Sequence, residues 1–200
     1  MPEQDLFGDV PAPAPKASQP RKVAVQPLHT WFFALRPSVE DAVRIQAFAE
    51  RLSAAYSITG KSTGAERLHI TLELVGHDVD ERLVEDAFRA ADAIHQPAIE
   101  VSFDAAMTFA APSGPFVLLG GEGLNAVREL RTVLAFAMAD QGFSPARSYE
   151  PHMTLGYDSR HRAPRFSIEP IGFRATEFAL VKSHIGQSRH EVLRTWPLAV

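Results

Sequence analysis

The 200-residue chain contains no cysteine. This absence excludes disulfide bonds, thiol nucleophiles and metal sites that need cysteine ligands. The sequence also lacks any apolar run of the roughly 18–20 residues that a membrane-spanning helix needs, and its first residues lack the apolar core of a signal peptide. We therefore expect a cytoplasmic protein without a membrane anchor.

A strong positive charge is missing as well, because the formal net charge is −4 at pH 7. Proteins that follow a long nucleic acid usually present a basic surface. The charge balance therefore disfavours extended duplex binding, but it leaves open the binding of one end of a short strand. A hydrophobic content of 46% is ordinary for a globular protein, and we expect a monomer.

The chain divides into two parts by composition. Residues 1–22, MPEQDLFGDVPAPAPKASQPRK, are rich in proline and alanine and show no hydrophobic periodicity, which predicts a disordered leader. Residues 23–200 are numerous enough for one domain with a substantial core.

The folded part shows strand and helix patterns in the order β-α-β-α-β-β-α-β-β-β-β. Helical spacing of apolar residues predicts helices over 38–55, 81–95 and 122–140. Short apolar or alternating runs predict strands over 28–35, 68–76, 98–109, 115–120, 151–157, 166–172, 174–184 and 190–199. Helices interspersed with strands in hairpin-like succession predict an α+β fold with mainly antiparallel sheets.

Glycine-rich nucleotide loops are absent. The polar segment 56–66 is predicted to be a loop and contains GKSTG at 60–64. That stretch is not a P-loop, because Ala55 stands where the motif needs its first glycine.

One short motif occurs twice, as HITL at 69–72 and as HMTL at 152–155. Side chains at positions i and i+2 of a strand point to the same face, so each histidine shares a face with its threonine. The two aliphatic residues of each copy share the opposite face and are expected to be buried on a helix. Composition alone predicts about 0.03 matches to His-x-Thr-Leu in this chain, so two copies indicate a functional pair.

These paired motifs resemble the signature of the 2H phosphoesterase superfamily, in its RNA 2′,3′-cyclic phosphodiesterase or 2′-5′ RNA ligase-like branch. The flanking segments resemble the family too, over roughly residues 27–198: TWFFALRPS, RLHITLELVG, YEPHMTLGY and FALVKSHIGQSRHEVLRTWPL. The resemblance implies two pseudo-symmetric lobes with antiparallel sheets that face each other across a central cleft, and helices outside. One motif would lie on each side of the cleft.

The chemistry of a cyclic phosphodiester fits such a pair of histidines. The unperturbed pKa of histidine, about 6.5, allows one imidazole to act as base and the other as acid near neutral pH. The resemblance implies that His69 donates a proton to the leaving 3′ oxygen and that His152 activates water. Thr71 and Thr154 would hold the phosphate, and the product would be a 2′-phosphate. The sequence has no HExxH helix and no acidic cluster, so we expect neither a metal nor a cofactor.

One position departs from the family pattern. Many members carry a basic residue five positions after the second histidine, where this chain has Tyr157. The positive charge for the phosphate must then come from elsewhere, with Arg147, Lys182 and Arg189 as candidates. Tyr157 itself could stack on a base or donate its hydroxyl.

Other readings of the pattern remain open. The cleft could serve 2′-5′-linked oligonucleotides or small cyclic nucleotides, with reverse ligation as a side activity, or it could bind RNA ends without catalysis. Among the remaining histidines, His29 is expected to be structural. His184 and His190 flank the last hairpin turn and could line a substrate channel. The aromatic residues Trp31, Phe32 and Phe33 are expected in the core.

Overall fold

A computed structural model of the protein describes residues 26–199. The predicted leader, residues 1–22, lies outside the described residues. The helices are α1 (Val39–Ala55), α2 (Glu81–Asp92) and α3 (Asn125–Asp140), with single 3₁₀ turns at Ala65–Arg67 and Glu122–Leu124. The strands are β1 (His29–Leu35), β2 (Lys61–Ser62), β3 (Ile70–His77), β4 (Ile99–Thr108), β5 (Pro115–Leu119), β6 (Met153–Tyr157), β7 (Phe166–Ala175), β8 (Glu177–His184) and β9 (Arg189–Pro197).

The predicted helices are confirmed, with small differences at their ends. Helix α1 begins after Ser38, whose hydroxyl accepts the Asp41 N–H at 3.1 Å. Helix α2 ends at Asp92 rather than at 95, since Pro97 follows closely and the residue before a proline disfavours helical backbone. The segment predicted as a plain loop over 56–66 contains the short strand β2.

The strands form one curled, mainly antiparallel sheet in the order β7-β4-β5-β6-β3-β1-β8-β9, with β2 paired to β6. Within residues 26–199, the single residue pair of Ile70 with Met153 joins β3 to β6. This junction separates the sheet into two halves, one with β7, β4, β5, β6 and the short β2, the other with β3, β1, β8 and β9. The connection β1–α1–β3 in one half repeats as β5–α3–β6 in the other. The predicted α+β fold with two pseudo-symmetric lobes is confirmed, and the two predicted sheets are the halves of one.

The two faces of the sheet are buried in different ways. The helices cover the outer face and enclose the main core, which includes Phe33, Leu35, Leu118 and Met153. Among residues 26–199, the inner, concave face carries only two small apolar clusters, one of them on each half of the sheet. These clusters are Phe32, Ala34, Ala179 and Val181 on β1 and β8, and Ala105, Val117 and Leu119 on β4 and β5.

The concave face is therefore the surface on which the polar residues of the motifs can meet a ligand. Within residues 26–199, no helix is both long and apolar enough to cross a membrane.

Candidate active site

The two motif histidines lie beside the point where the halves of the sheet join. His69 immediately precedes β3 and His152 immediately precedes β6, so each strand begins two residues later than predicted. Because Ile70 pairs with Met153, the fold brings together two histidines that are far apart in sequence. The charge of His152 also contributes to the pKa of His69, which places the two rings within electrostatic reach of each other.

Both imidazoles are held by the same kind of hydrogen bond, from Nδ1 to the backbone carbonyl oxygen two residues earlier. His69 Nδ1 lies 2.7 Å from the carbonyl oxygen of Arg67, and His152 Nδ1 lies 2.8 Å from the carbonyl oxygen of Glu150. A carbonyl oxygen can only accept a hydrogen bond, so Nδ1 carries the proton in both rings. In the neutral form of each ring, Nε2 therefore carries a free lone pair and can accept a proton. Once it is protonated, Nε2 can donate that proton.

A β-bulge in β6 decides which side chains follow His152 on the concave face. In the pairing with β5, Thr154 opposes Val117 and Gly156 opposes Phe116, so Leu155 has no partner. Val117 belongs to the concave cluster, which places Thr154 on that face. Leu155 and Gly156 both turn toward the helix side, and the extra residue returns Tyr157 to the concave face.

The same irregularity occurs in β3. Thr71 opposes Ala34 and Glu73 opposes Phe33, so Leu72 is the unpaired residue. Ala34 belongs to the concave cluster, which places Thr71 on the same face as its counterpart in β6. Leu74, which is exposed, occupies the position that corresponds to Tyr157. The two copies of the motif therefore repeat a bulge as well as a sequence.

The ring of His69 is enclosed by an aromatic residue and a third histidine. Phe32 stacks on His69 with ring centroids 5.0 Å apart, and His190 meets it edge-on at 5.2 Å. Burial lowers the pKa of His69 to about 4, although the bond to the Arg67 carbonyl opposes this shift. The positive charges of His190, His152 and Arg36 add to the lowering.

His152 has a different neighbourhood. Its ring meets the edge of Phe109 at 4.9 Å, and the residue that tethers it, Glu150, pairs with Arg128 of α3 at 3.2 Å. Each motif histidine thus contacts one phenylalanine of the concave face, by stacking at His69 and edge-on at His152.

Two arginines that are not among the residues predicted from the sequence, Arg67 and Arg36, lie near the histidines. Burial lowers the pKa of His190 to about 4, and the charges of Arg67 and Arg36 contribute to that shift. The Arg67 side chain is only 17% exposed, and its nearest carboxylate oxygen, on Glu66, is 3.6 Å away. Arg36 donates to the Glu66 carbonyl oxygen at 3.3 Å. These guanidinium groups place positive charge on the His69 side of the cleft.

The three basic residues selected from the sequence lie elsewhere. The Lys182 ammonium lies 5.0 Å from the ring centre of Trp31, a residue of the main core, so it is on the helix side of the sheet. Arg189 opposes His184 across the hairpin, on the same side as Lys182, and contacts Glu191. Arg147 is exposed in the segment that leads to His152. The structure therefore does not bring Lys182 or Arg189 together with the motif histidines.

Of the remaining histidines, only His190 among those selected reaches the concave face, where it contacts His69 and Phe32. His29 contacts Asp78 and the ring of His184 instead. Phe32 is buried as predicted, but it belongs to the concave cluster rather than to the main core.

A buried ion pair behind the site connects the two motif segments. Glu73 on β3 is paired with Arg131 of α3, and both side chains are largely buried. The other Glu73 oxygen accepts the Ala146 N–H at 3.1 Å. Tyr149 donates its hydroxyl to the Thr71 carbonyl oxygen at 3.0 Å and has the Arg131 guanidinium over its ring. The segment that leads to His152 is thereby fixed to the strand that follows His69.

Solved structures share this fold. The Escherichia coli protein LigT in complex with ATP has a TM-score of 0.67 at 23% identity, over 88% of this chain and 100% of LigT. A structure described as a phosphoesterase has a TM-score of 0.68 at 24% identity, over 86% of this chain and 99% of its own. TT0787 of Thermus thermophilus has a TM-score of 0.65 at 18% identity, over 84% of this chain and 97% of its own.

The family assignment comes from the sequence match. No curated protein is significantly similar in sequence. The 2′-5′ RNA ligase superfamily matches residues 37–187, a span that contains both histidine motifs and most of the sheet. Family and fold together indicate a phosphoesterase. The chain belongs to the 2′-5′ RNA ligase superfamily, the 2H phosphoesterases whose signature its two motifs resemble.

Proposed function

We propose that this protein hydrolyses 2′,3′-cyclic phosphates at RNA ends to 2′-phosphates, without a metal ion and as a monomer. The observation that carries the proposal is the pair of imidazoles, each tethered through Nδ1 and each followed by a threonine on the concave face. LigT, which has the same fold, has been crystallised with phosphate, 3′-AMP and NADP⁺. Those ligands of LigT support a nucleotide as the ligand of this cleft.

In the proposed reaction, the oxygen of a water molecule bonds to phosphorus while His152 Nε2 takes one of its protons. The bond between phosphorus and O3′ breaks, and His69 Nε2 gives its proton to O3′. The phosphate remains on O2′, His69 is left neutral and His152 is left protonated. Exchange with solvent restores both rings. The Nδ1 tethers hold each ring in place during these transfers.

Negative charge builds on the non-bridging phosphate oxygens in the transition state. We assign Thr71 and Thr154 as hydroxyl donors to those oxygens, because each shares the concave face with its histidine. Arg67 and Arg36 supply the positive field on the His69 side.

The donor role of His69 requires that substrate binding add a proton. With a pKa of about 4, this ring is neutral in the empty cleft at pH 7. A phosphate anion beside the ring favours the charged form and raises the pKa. Binding and protonation are therefore coupled in this scheme, and His152 enters the reaction as the neutral base.

The test is a ring-opening assay on a short RNA that ends in a 2′,3′-cyclic phosphate, with EDTA present and with products separated by chromatography. We expect a single product with a 2′-phosphate end. A 3′-phosphate product, or activity that depends on added metal ions, would contradict the proposal. Cleavage of a 2′-5′-linked dinucleotide without ring opening would favour the alternative substrate class. Binding without any turnover would favour an RNA-end binder.

A further inference from the structure

The GKSTG segment, which is not a P-loop, forms part of the wall of the cleft. Its strand β2 pairs with the end of β6, and the Thr63 N–H donates to the Leu155 carbonyl oxygen at 2.8 Å. A Cβ atom at Gly60 would lie 1.9 Å from the carbonyl oxygen of Tyr157, so only glycine permits this close approach. The segment is therefore fixed on the strand that carries Thr154.

The two residues of β2 point to opposite faces of the sheet. Ser62 accepts a hydrogen bond from Gln46 of α1 at 3.1 Å, so it points to the helix side. Lys61 must then point to the concave side. Its ammonium donates to the Ser188 hydroxyl at 2.9 Å, in the turn between β8 and β9 and close to His190. The Lys61 side chain thus extends across the cleft from one half of the sheet to the other.

Lys61 lies directly opposite Tyr157, and directly opposed residues of antiparallel strands have Cβ atoms about 4.5–5.5 Å apart. Tyr157 is on the concave face, and the residue is 43% exposed. It follows Thr154 by three residues, a distance of less than about 10 Å along a strand. Lys61 and Tyr157 therefore start side by side on the concave face, about one nucleotide away from the proposed phosphate position, and the Lys61 ammonium reaches from there across the cleft.

We propose that Lys61 and Tyr157 form a second subsite, which binds the nucleotide that precedes the cyclic phosphate. This inference rests on the proposed function and specifies its substrate as oligonucleotide ends rather than mononucleotides. The Lys61 ammonium contacts the internal phosphodiester, after release of its neutral partner Ser188, and Tyr157 stacks on the base or sugar. Within residues 26–199 the Lys61 ammonium contacts no carboxylate, so its charge is available to an anion.

The experiment compares kcat/KM for a nucleoside 2′,3′-cyclic phosphate with kcat/KM for a trinucleotide that ends in the same cyclic phosphate. In the wild type we expect the trinucleotide to be preferred. Lys61→Met should reduce this preference about 10-fold, and it should lower the salt dependence of trinucleotide binding by about 0.7 in the logarithmic slope, as expected for one phosphate contact to a single strand. Tyr157→Ala should also reduce the preference, whereas Tyr157→Phe should retain it.

The matched control is Lys182→Met, which removes the same charge from the opposite face of the sheet. It should leave the preference and the salt slope at their wild-type values. Equal effects of Lys61→Met on both substrates, or a loss of preference in the control, would overturn the subsite.

The two proposals fail in distinguishable ways. If neither cyclic phosphate is hydrolysed, the proposed function is wrong, and the subsite is tested by binding. Fluorescence anisotropy then measures the affinity of a labelled trinucleotide with a 3′-phosphate, competed with 3′-AMP. Lys61→Met should weaken the trinucleotide several-fold and affect 3′-AMP less. Unchanged trinucleotide affinity in Lys61→Met would contradict the subsite independently of turnover.

Discussion

The His69 and His152 segments share a backbone plan but not an environment. In both, the histidine donates Nδ1–H to the carbonyl two residues earlier, and a threonine lies two residues later on the same face. A phenylalanine contacts each ring, stacked on His69 and edge-on at His152. His69 also has His190 beside it, with ring centroids 5.2 Å apart.

This difference shows how a symmetric fold can support an asymmetric reaction. The repeated backbone fixes where the two rings are and which nitrogen of each is free. The surroundings then set the protonation, since burial and nearby positive charge lower the pKa of His69 to about 4. In the proposed reaction, the division of labour between acid and base therefore depends on residues outside the two motifs, such as Phe32 and His190.

The largest expected effect comes from removal of either ring. His69→Ala and His152→Ala should each lower kcat for the cyclic-phosphate end by about 10²–10⁴-fold, because each variant loses one proton transfer. The exposed His95→Ala is the control and should keep wild-type kcat. A variant at 69 or 152 that retains most of the rate would show that its ring takes no part in the reaction.

A second variant disturbs the connection between the two segments without a change in either motif. Glu73→Gln leaves the buried Arg131 without its counter-charge, which should lower the free energy of unfolding by about 3 kcal/mol. Urea denaturation followed by circular dichroism measures this change. Glu100→Gln, which breaks the exposed pair with Arg174, should cost less than about 1 kcal/mol. Similar losses in the two variants would contradict a structural role for the buried pair.

The two threonines test how far the symmetry of the cleft extends. Thr71→Val and Thr154→Val should each lower kcat by about 10²-fold, as expected when one donor to a developing charge is removed. Steady-state kinetics on the cyclic-phosphate end gives the values, with Thr132→Val on the exposed side of α3 as the control. If only one threonine matters, the phosphate is bound by one half of the cleft.

The smallest effect is a displacement of the pH profile. Since the pKa of His69 is about 4 in the free protein, the acid limb of kcat/KM should lie near pH 4. In the complex the phosphate raises this pKa, so the acid limb of kcat should lie at higher pH. His190→Gln removes one of the smaller causes of the lowered pKa of His69, so the limb should move only slightly, to higher pH. An acid limb of kcat/KM near 6.5 would contradict the lowered pKa.

The alternation of residues in β3 and β6 was enough to predict the shared face of each histidine and threonine and the burial of Ile70 and Met153. These features follow from the local geometry of a strand. Strict alternation would also place Tyr157 on the opposite face of the sheet from Thr154. The bulge at Leu155 brings both residues to the same face. The bulge depends on the register between β6 and β5, and the sequence of β6 alone does not determine that register.

The basic residues illustrate the same limit. Lys182 and Arg189 are selected for charge near a family segment. The register of β8 against β1 turns Lys182 to the helix side, and the register of β9 against β8 turns Arg189 to that side too. Lys61 belongs to a segment that the sequence predicts to be a loop, and Arg67 lies in the turn before the first motif, so neither residue is selected as a phosphate-binding candidate. Pairings between distant strands bring Lys61, His190 and Phe109 to the cleft, and a single sequence does not reveal those pairings.

The most direct test of the paired-histidine mechanism uses a substrate that needs no acid. A 3′-deoxynucleoside 2′-(4-nitrophenyl phosphate) retains O2′ on phosphorus and releases nitrophenolate, which leaves without a proton. Release of nitrophenolate by His69→Ala and His152→Ala is measured by absorbance. We expect His69→Ala to keep most of the wild-type rate on this ester while it loses activity on the cyclic phosphate, and His152→Ala to lose activity on both. Equal losses of both substrates in the two variants would contradict the assignment of His69 as the acid and His152 as the base.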